Sequence, residues 1–189
     1  MTSPACVASP SLAALHAAAA AAGLTVCSSA SWPETDADGE VTALAGFIES
    51  TFSPLLAQVA ERALRRRAQP PASGKVTAIV MVTALGDVTS AARVAAAVDA
   101  GQRVPPLLFF QSVPNAVAGY LAARWQLTGP VVCVSGTRAG LDVSALLIDD
   151  ADADEVLVVR VDLAVTDGDR DRAAAMLVTR ADGELPGTG

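Results

Sequence analysis

The sequence predicts an α/β fold, a mixed and mostly parallel five-stranded sheet with crossover helices, and three observations predict it. Helix-period and strand-like segments alternate along the chain, which calls for parallel strands joined by crossover helices. The run 75–85 (KVTAIVMVTAL) is apolar and β-branched without alternation, as in a strand buried on both faces. The last two strands are separated by the short polar turn Asp167-Gly168-Asp169, so they must be antiparallel neighbours.

Taken in order, 12–22 is an alanine-dominated helix ended by Gly23, and 24–30 is a short strand. Trp32-Pro33 and the acidic stretch 34–40 read as an exposed loop. Over 44–67, Phe47, Ile48, Phe52, Leu55, Leu56, Val59 and Ala63 recur at three- and four-residue intervals, one face of a helix whose main segment starts at Ser53-Pro54. Arg65, Arg66 and Arg67 close that helix as a charge cluster before Gln69-Pro70-Pro71 breaks it. After the strand 75–85, expected to be central, Asp87 leads into a helix over 88–100. Its small-residue stripe Ala91, Val94, Ala95, Val98 should pack close to the sheet, with Gly101 at its end.

The segment 104–113 is apolar but broken by prolines, and reads as a buried connection. A helix over 114–127 presents Val117, Ala118, Leu121 and Trp125 on one face, and Thr128-Gly129-Pro130 stops it. A strand at 131–135, a helix at 137–148 and strands at 155–165 and 173–180 complete the order.

Composition narrows the function. A chain of 189 residues makes one domain, 1–189. Its net charge of −7 makes it a poor counterion for phosphate backbones, which argues against nucleic acid as a partner. With 52% hydrophobic residues but 4% aromatic ones, the apolar content is mainly alanine and valine, suited to closely packed α/β layers. The three cysteines, Cys6, Cys27 and Cys133, are far apart and His16 is the single histidine, so neither a metal site nor a disulfide framework is expected. No cofactor motif is present. No Lys or Arg precedes the apolar stretch 11–22 as a secretory signal requires, and no run reaches the ~20 apolar residues that cross a bilayer. A cytoplasmic protein with no membrane partner is expected.

Individual candidates for chemistry have plain readings beside them. The acidic run Asp149, Asp150, Asp152, Asp154, Glu155 lacks the glycine and the closing carboxylate of a calcium loop and reads as a solvated helix-to-strand loop; Asp167, Asp169 and Asp171 fail in the same way. Neither Ser73-Gly74-Lys75 nor the run from Ser135 to Gly140 has the spacing of a phosphate-cradling loop. His16, in an alanine-rich helix, reads as a surface or packing residue. Cys133 lies among valines and reads as a small buried hydrophobe, with a nucleophile as the alternative. The stretch 107–113 reads as core, or as the wall of an acyl-binding tunnel.

At 110–120 the chain reads FQSVPNAVAGY, and at 127–135 LTGPVVCVS. These segments resemble the N-terminal half of a β-ketoacyl synthase, in which a PNAxAG helix precedes a GPxxTV strand. Asp152-Ala153-Asp154-Glu155-Val156-Leu157 is similar to the family's GDADxVL strand entry. The resemblance covers about 23–183, taken as the core, and leaves 184–189 as a flexible tail. It implies half of a thiolase-like fold.

The departures carry the functional reading. In the family a TACxS elbow follows the strand and its cysteine attacks the acyl thioester; here Arg138 falls at that position. The family's two catalytic histidines belong to the second half of its fold. Condensation needs a thiolate and imidazoles, and arginine supplies neither. The resemblance is therefore to a shortened, inactive chain-length factor of type II polyketide or aryl-polyene systems. It implies a heterodimer with a full-length catalytic ketosynthase, with an acyl carrier protein as a further candidate partner. A lone half should leave the apolar face of the 137–148 helix and one sheet face uncovered. Phe109, Phe110, Ser112, Val113, Asn115 and Tyr120, with the strand Val131, Val132, Cys133, Val134, are implied as tunnel or interface residues. The other readings are a minimal ketosynthase or acyltransferase using Cys133, and a self-associating α/β binding protein.

Overall fold

The computed structural model describes residues 10–35, 38–47, 50–67, 74–164 and 169–181. Among the described residues, six helices and five strands follow in the order α1 (Leu12–Ala21), β1 (Leu24–Trp32), α2 (Phe52–Arg65), β2 (Thr77–Val82), α3 (Val88–Asp99), α4 (Pro106–Gln111), α5 (Asn115–Trp125), β3 (Val131–Val134), α6 (Thr137–Asp149), β4 (Glu155–Asp162) and β5 (Arg172–Arg180). Ile48, the Pro70-Pro71 break, the turn at 165–168 and the 184–189 tail lie outside the described residues.

The strands form one sheet in the order β1-β5-β4-β2-β3. β2 pairs in parallel with β3 and β4, and β5 is antiparallel to both β4 and β1. The α/β class and the mixed, mostly parallel sheet are as expected: β1, β2, β3 and β4 run in one direction and β5 runs against them. β1 enters beside β5, the strand laid down last, and runs against it. β2 is buried along its whole length, as its composition implies, yet β4 occupies the middle of the sheet.

Both faces of the sheet are covered. Ile79, Met81, Leu157, Val159, Val161, Ala175 and Leu177 face a core shared with α2 and α5. Ala78, Val80, Val82, Val156, Val158, Met176 and Val178 face a second core under α1 and α6. The expected bare sheet face is therefore absent among the described residues. α1 contributes Leu15 and Ala19, one turn apart, and α6 contributes Leu141. The inner face of α6 is seated on the sheet, with Gly140, Leu141 and Ser144 buried; outside it Leu146 is exposed.

α2 starts at Phe52, with Pro54 in the first turn, where its missing N–H costs no helical bond. Phe52, Leu55, Leu56, Val59 and Ala63 are all buried, while Phe47 lies upstream in an isolated bridge with Leu44. The arginines at its end are individually engaged: Arg65 with Glu61, Arg66 with Glu34, and Arg67 with Glu155.

Three local expectations are overturned. Residues 106–111 are a helix, not a buried connection: Pro105 is extended and Pro106 occupies the first turn, where its fixed φ suits a helix. Gln111 is buried there and its amide donates to the Gly46 carbonyl, while Phe109 and Phe110 are exposed. α3 packs against α4 and not on the sheet, with only Ser90 buried, because the sheet face it would cover is already filled by α2 and α5. Glu155 is not solvated; it is 1% exposed, accepts a 2.7 Å bond from the Thr77 hydroxyl, and is paired with Lys75 at 2.8 Å and with Arg67. Three donors satisfy a carboxylate that burial alone would penalise.

Candidate functional site

Because β2, β3 and β4 run in parallel, their carboxyl ends lie together, the usual place for function in an open α/β sheet. At that end the chain passes from β2 into Leu85, Gly86 and Asp87, from β3 into Ser135, Gly136 and Thr137, and through Arg160 of β4. Asp87 is buried and caps α3: its carboxylate accepts from the Ser90 N–H at 3.0 Å, the Ser90 hydroxyl at 2.8 Å and the Ser50 hydroxyl at 2.6 Å. This ties the loop after β2 to the approach of α2.

The turn from β3 into α6 is set by Gly136, whose φ of +95° favours glycine. The first residue of α6, Thr137, accepts a hydrogen bond from Arg160, and Arg160 is itself clamped to Asp162 at 2.6 and 3.1 Å. The elbow is thus anchored to the middle strand. The next residue of α6 is Arg138. Its side chain is 88% exposed and folds back along the helix, with Nε 3.0 Å from both carboxylate oxygens of Asp142.

Cys133 is exposed on β3, contrary to its reading as a buried hydrophobe, because β3 forms an edge of the sheet. Partial burial nevertheless pushes its thiol above the ordinary cysteine value, which lowers its thiolate fraction. His16 is on the surface, as expected, and hydrogen-bonds the Ser29 hydroxyl of β1 at 3.0 Å. β1 and β3 are opposite edges, so His16 and Cys133 are separated by four strand spacings, about 19 Å. They cannot form a nucleophile–base pair.

The residues implied as tunnel or interface fall into two exposures. Phe109, Phe110 and Val113 are 64%, 58% and 44% exposed, as are Leu107 of α4, Val98 of α3 and Leu85 of the loop after β2. Ser112 is half-buried and its hydroxyl donates to the Phe109 carbonyl at 2.7 Å; Asn115 is exposed at the start of α5. Tyr120 instead turns inward and packs against the α2–α5 core. On β3, Val131 and Cys133 are exposed, whereas Val132 and Val134 pack under α6. Two cavities, of about 170 and 630 Å³, lie around Trp32 and Pro33. Among the described residues, α4 packs against α3 and α5, and α3 and α4 carry exposed apolar side chains. The exposure of the 104–113 segment could not be read from the sequence, since hydrophobicity alone does not say which surface is covered.

Among the described residues no group of three or more His, Cys, Asp or Glu could hold a metal, and no helix is long and apolar enough to cross a membrane.

Residues 24–168 match the family described as beta-ketoacyl synthase, N-terminal domain. No curated protein matches the chain. Among solved structures it is similar to the ketosynthase ApeO in complex with its chain length factor ApeC from Xenorhabdus doucetiae, at 19% identity and a TM-score of 0.60, over 91% of this chain and 74% of that one. It is similar to the ishigamide ketosynthase/chain length factor at 19% identity and a TM-score of 0.61, over 80% of this chain and 49% of that one. A third likeness, at 13% identity and a TM-score of 0.53, is to the oxazolomycin ketosynthase domain OzmH KS7 of Streptomyces albus JA3453, over 69% of this chain and 28% of that one. The chain therefore spans about half of the second structure and about a quarter of the third, and at these identities the likeness shows the fold.

Proposed function

The chain belongs to the beta-ketoacyl synthase N-terminal domain family, and from that premise we propose that it is a non-catalytic, chain-length-factor-like subunit. It pairs with an active ketosynthase of type II polyketide or polyene biosynthesis, stabilises it and helps to shape its acyl tunnel. The observation that carries this reading is Arg138, an exposed guanidinium tied to Asp142 at the head of α6, where the sequence resemblance implies the family's nucleophile. A guanidinium is neither a nucleophile nor a base at physiological pH. The one cysteine near the elbow has a raised pKa, and the one histidine lies on the far edge of the sheet.

Two further features support pairing. The apolar side chains of Leu107, Phe109, Phe110 and Val113 are exposed in one short stretch, a composition suited to a covered surface. The similarity to the ketosynthase and chain length factor complex is also one of size: as 91% of this chain fills 74% of that one, that chain is only about a quarter longer.

The test is co-expression with the ketosynthase encoded beside it. A 1:1 complex is expected, with the subunit poorly soluble or self-associated when made alone, since obligate interfaces bury more than about 2,000 Å² in total. In the complex, a thiol-directed acyl mimic should label the ketosynthase and leave Cys133 unmodified. A stable monomer with no affinity for the ketosynthase, or an acyl-enzyme on Cys133, contradicts the proposal.

A further inference from the structure

The two edges of the sheet are treated differently. On β3, the Ile79 N–H donates to the Pro130 carbonyl at 2.9 Å and the Thr83 N–H to the Val134 carbonyl at 3.1 Å, so residues of that parity face β2. The backbone groups of Val131 and Cys133 therefore point away from the sheet, and both residues are exposed. On β1, two outward carbonyls are occupied. The Arg66 guanidinium donates to the Ser29 carbonyl at 3.1 Å and the Arg62 guanidinium to the Ser31 carbonyl at 3.4 Å.

This match follows from two repeats. Residues four apart on a helix are separated by about 6 Å along its axis, and residues two apart on a strand by about 6.8 Å. Arg62 and Arg66 of α2 thus meet Ser31 and Ser29 of β1 in register. Each guanidinium is held from the other side by a carboxylate: Arg62 by Asp38 at 2.6 and 3.0 Å, and Arg66 by Glu34 at 2.5 and 2.6 Å. Asp38 in turn accepts from the backbone N–H groups of Glu34 and Thr35, which fixes the loop carrying both acids. Arg62 also lies over the Trp32 ring, 5.1 Å from its centroid.

We propose that Arg62 and Arg66, braced by Asp38 and Glu34, form a guard that closes the 29–31 stretch of the β1 edge to strand pairing. An edge strand with free carbonyls and N–H groups is a template for another chain, and charged side chains laid along it remove that hazard. In a protein that docks a partner through one edge, a second open edge would turn a closed pair into an open-ended array. The guard holds whatever the partner at β3 is, so it stands apart from the chain-length-factor reading.

The test uses the full chain with β3 closed by Cys133→Pro, which removes an outward N–H that β2 does not use. Adding Arg62→Ala and Arg66→Ala should raise self-association in sedimentation velocity by about tenfold or more. Adding Ser29→Pro as well, which removes an outward N–H of β1, should return the sedimentation distribution to that of the Cys133→Pro parent. If the arginine double substitution keeps the parent distribution while its far-ultraviolet circular dichroism shows it folded, the guard is disproved. Should that variant not fold, Glu34→Gln with Asp38→Asn leaves α2 intact and frees the guanidinium groups; association in it supports the guard and an unchanged distribution overturns it.

Discussion

Gly140 of α6 lies so close to Val82 of β2 that a β-carbon added to it would stand 2.5 Å from the valine Cγ2. The close approach seats α6 on the sheet and sets where the elbow at Gly136 and Thr137 emerges. Valine is stiff about χ1, so the contact cannot be relieved by a rotamer change.

Gly140→Ala is accordingly expected to destabilise the chain by about 1–3 kcal/mol, despite alanine's higher helix propensity. Gly119, in the middle of α5, is the control: nothing lies within 4 Å of its added β-carbon. Gly119→Ala should stabilise by about 0.5–1 kcal/mol. Urea midpoints of the two variants, measured in the same assembly state, should move in opposite directions.

Glu155 supplies a second prediction. Its removal leaves Lys75 and the largely buried Arg67 without their shared carboxylate, and the Thr77 hydroxyl without its acceptor. Glu155→Ala should cost about 3 kcal/mol. Double-mutant cycles with Lys75→Met should recover part of that loss, whereas an acidic side chain in a solvated loop would show almost none.

Acid should release the loop that carries Glu34 and Asp38. The bond from Arg62 holds the Asp38 carboxyl well below the usual carboxylate range, and the bond from Arg66 holds Glu34 below its own ordinary value. Both groups bind protons less readily folded than unfolded, so their contribution is complete above the ordinary carboxylate pKa of about 4. It is lost as pH falls from there through the depressed folded values. Trp32 fluorescence reports the event, because Arg62 leaves the indole face as the loop detaches; Trp125→Phe removes the other tryptophan. A Trp32 signal that already changes between pH 7 and 5 would contradict this assignment.

The last prediction follows from the proposed role. If Phe110 and Val113 wall an acyl tunnel completed by the partner, shortening them to Ala and Gly should admit longer products. Each buried methylene is worth about 0.8 kcal/mol, so room for a few carbons shifts the product distribution appreciably. Mass spectrometry of products from complexes of matched stability decides it. An unchanged distribution in both variants would leave the subunit as a scaffold.

Much of the fold was legible. Local signals placed all five strands and five of the six helices, because capping residues and periodicity act within a few neighbours: Ser11 caps α1, Asp87 caps α3, and Gly23 and Gly101 end those helices at φ of +73° and +63°. α4 was missed because two adjacent prolines signal a break as strongly as a start. Around the candidate site, the start of α6 just before Arg138 was legible, whereas the inward turn of Tyr120 and the exposure of Cys133 were not.

The sequence by itself determined the class of the fold, the burial of β2 on both faces and the chemical character of the elbow, since these depend on residue type and spacing along one segment. Only the tertiary structure decided which strands are edges, and so that Cys133 is exposed, that His16 lies across the sheet from it, and that Arg62 and Arg66 meet the carbonyls of β1. The physical reason is that exposure and pairing are properties of the space between segments. Strand order, which brings β1 in beside β5 across most of the chain, sets them from contacts that no local pattern encodes.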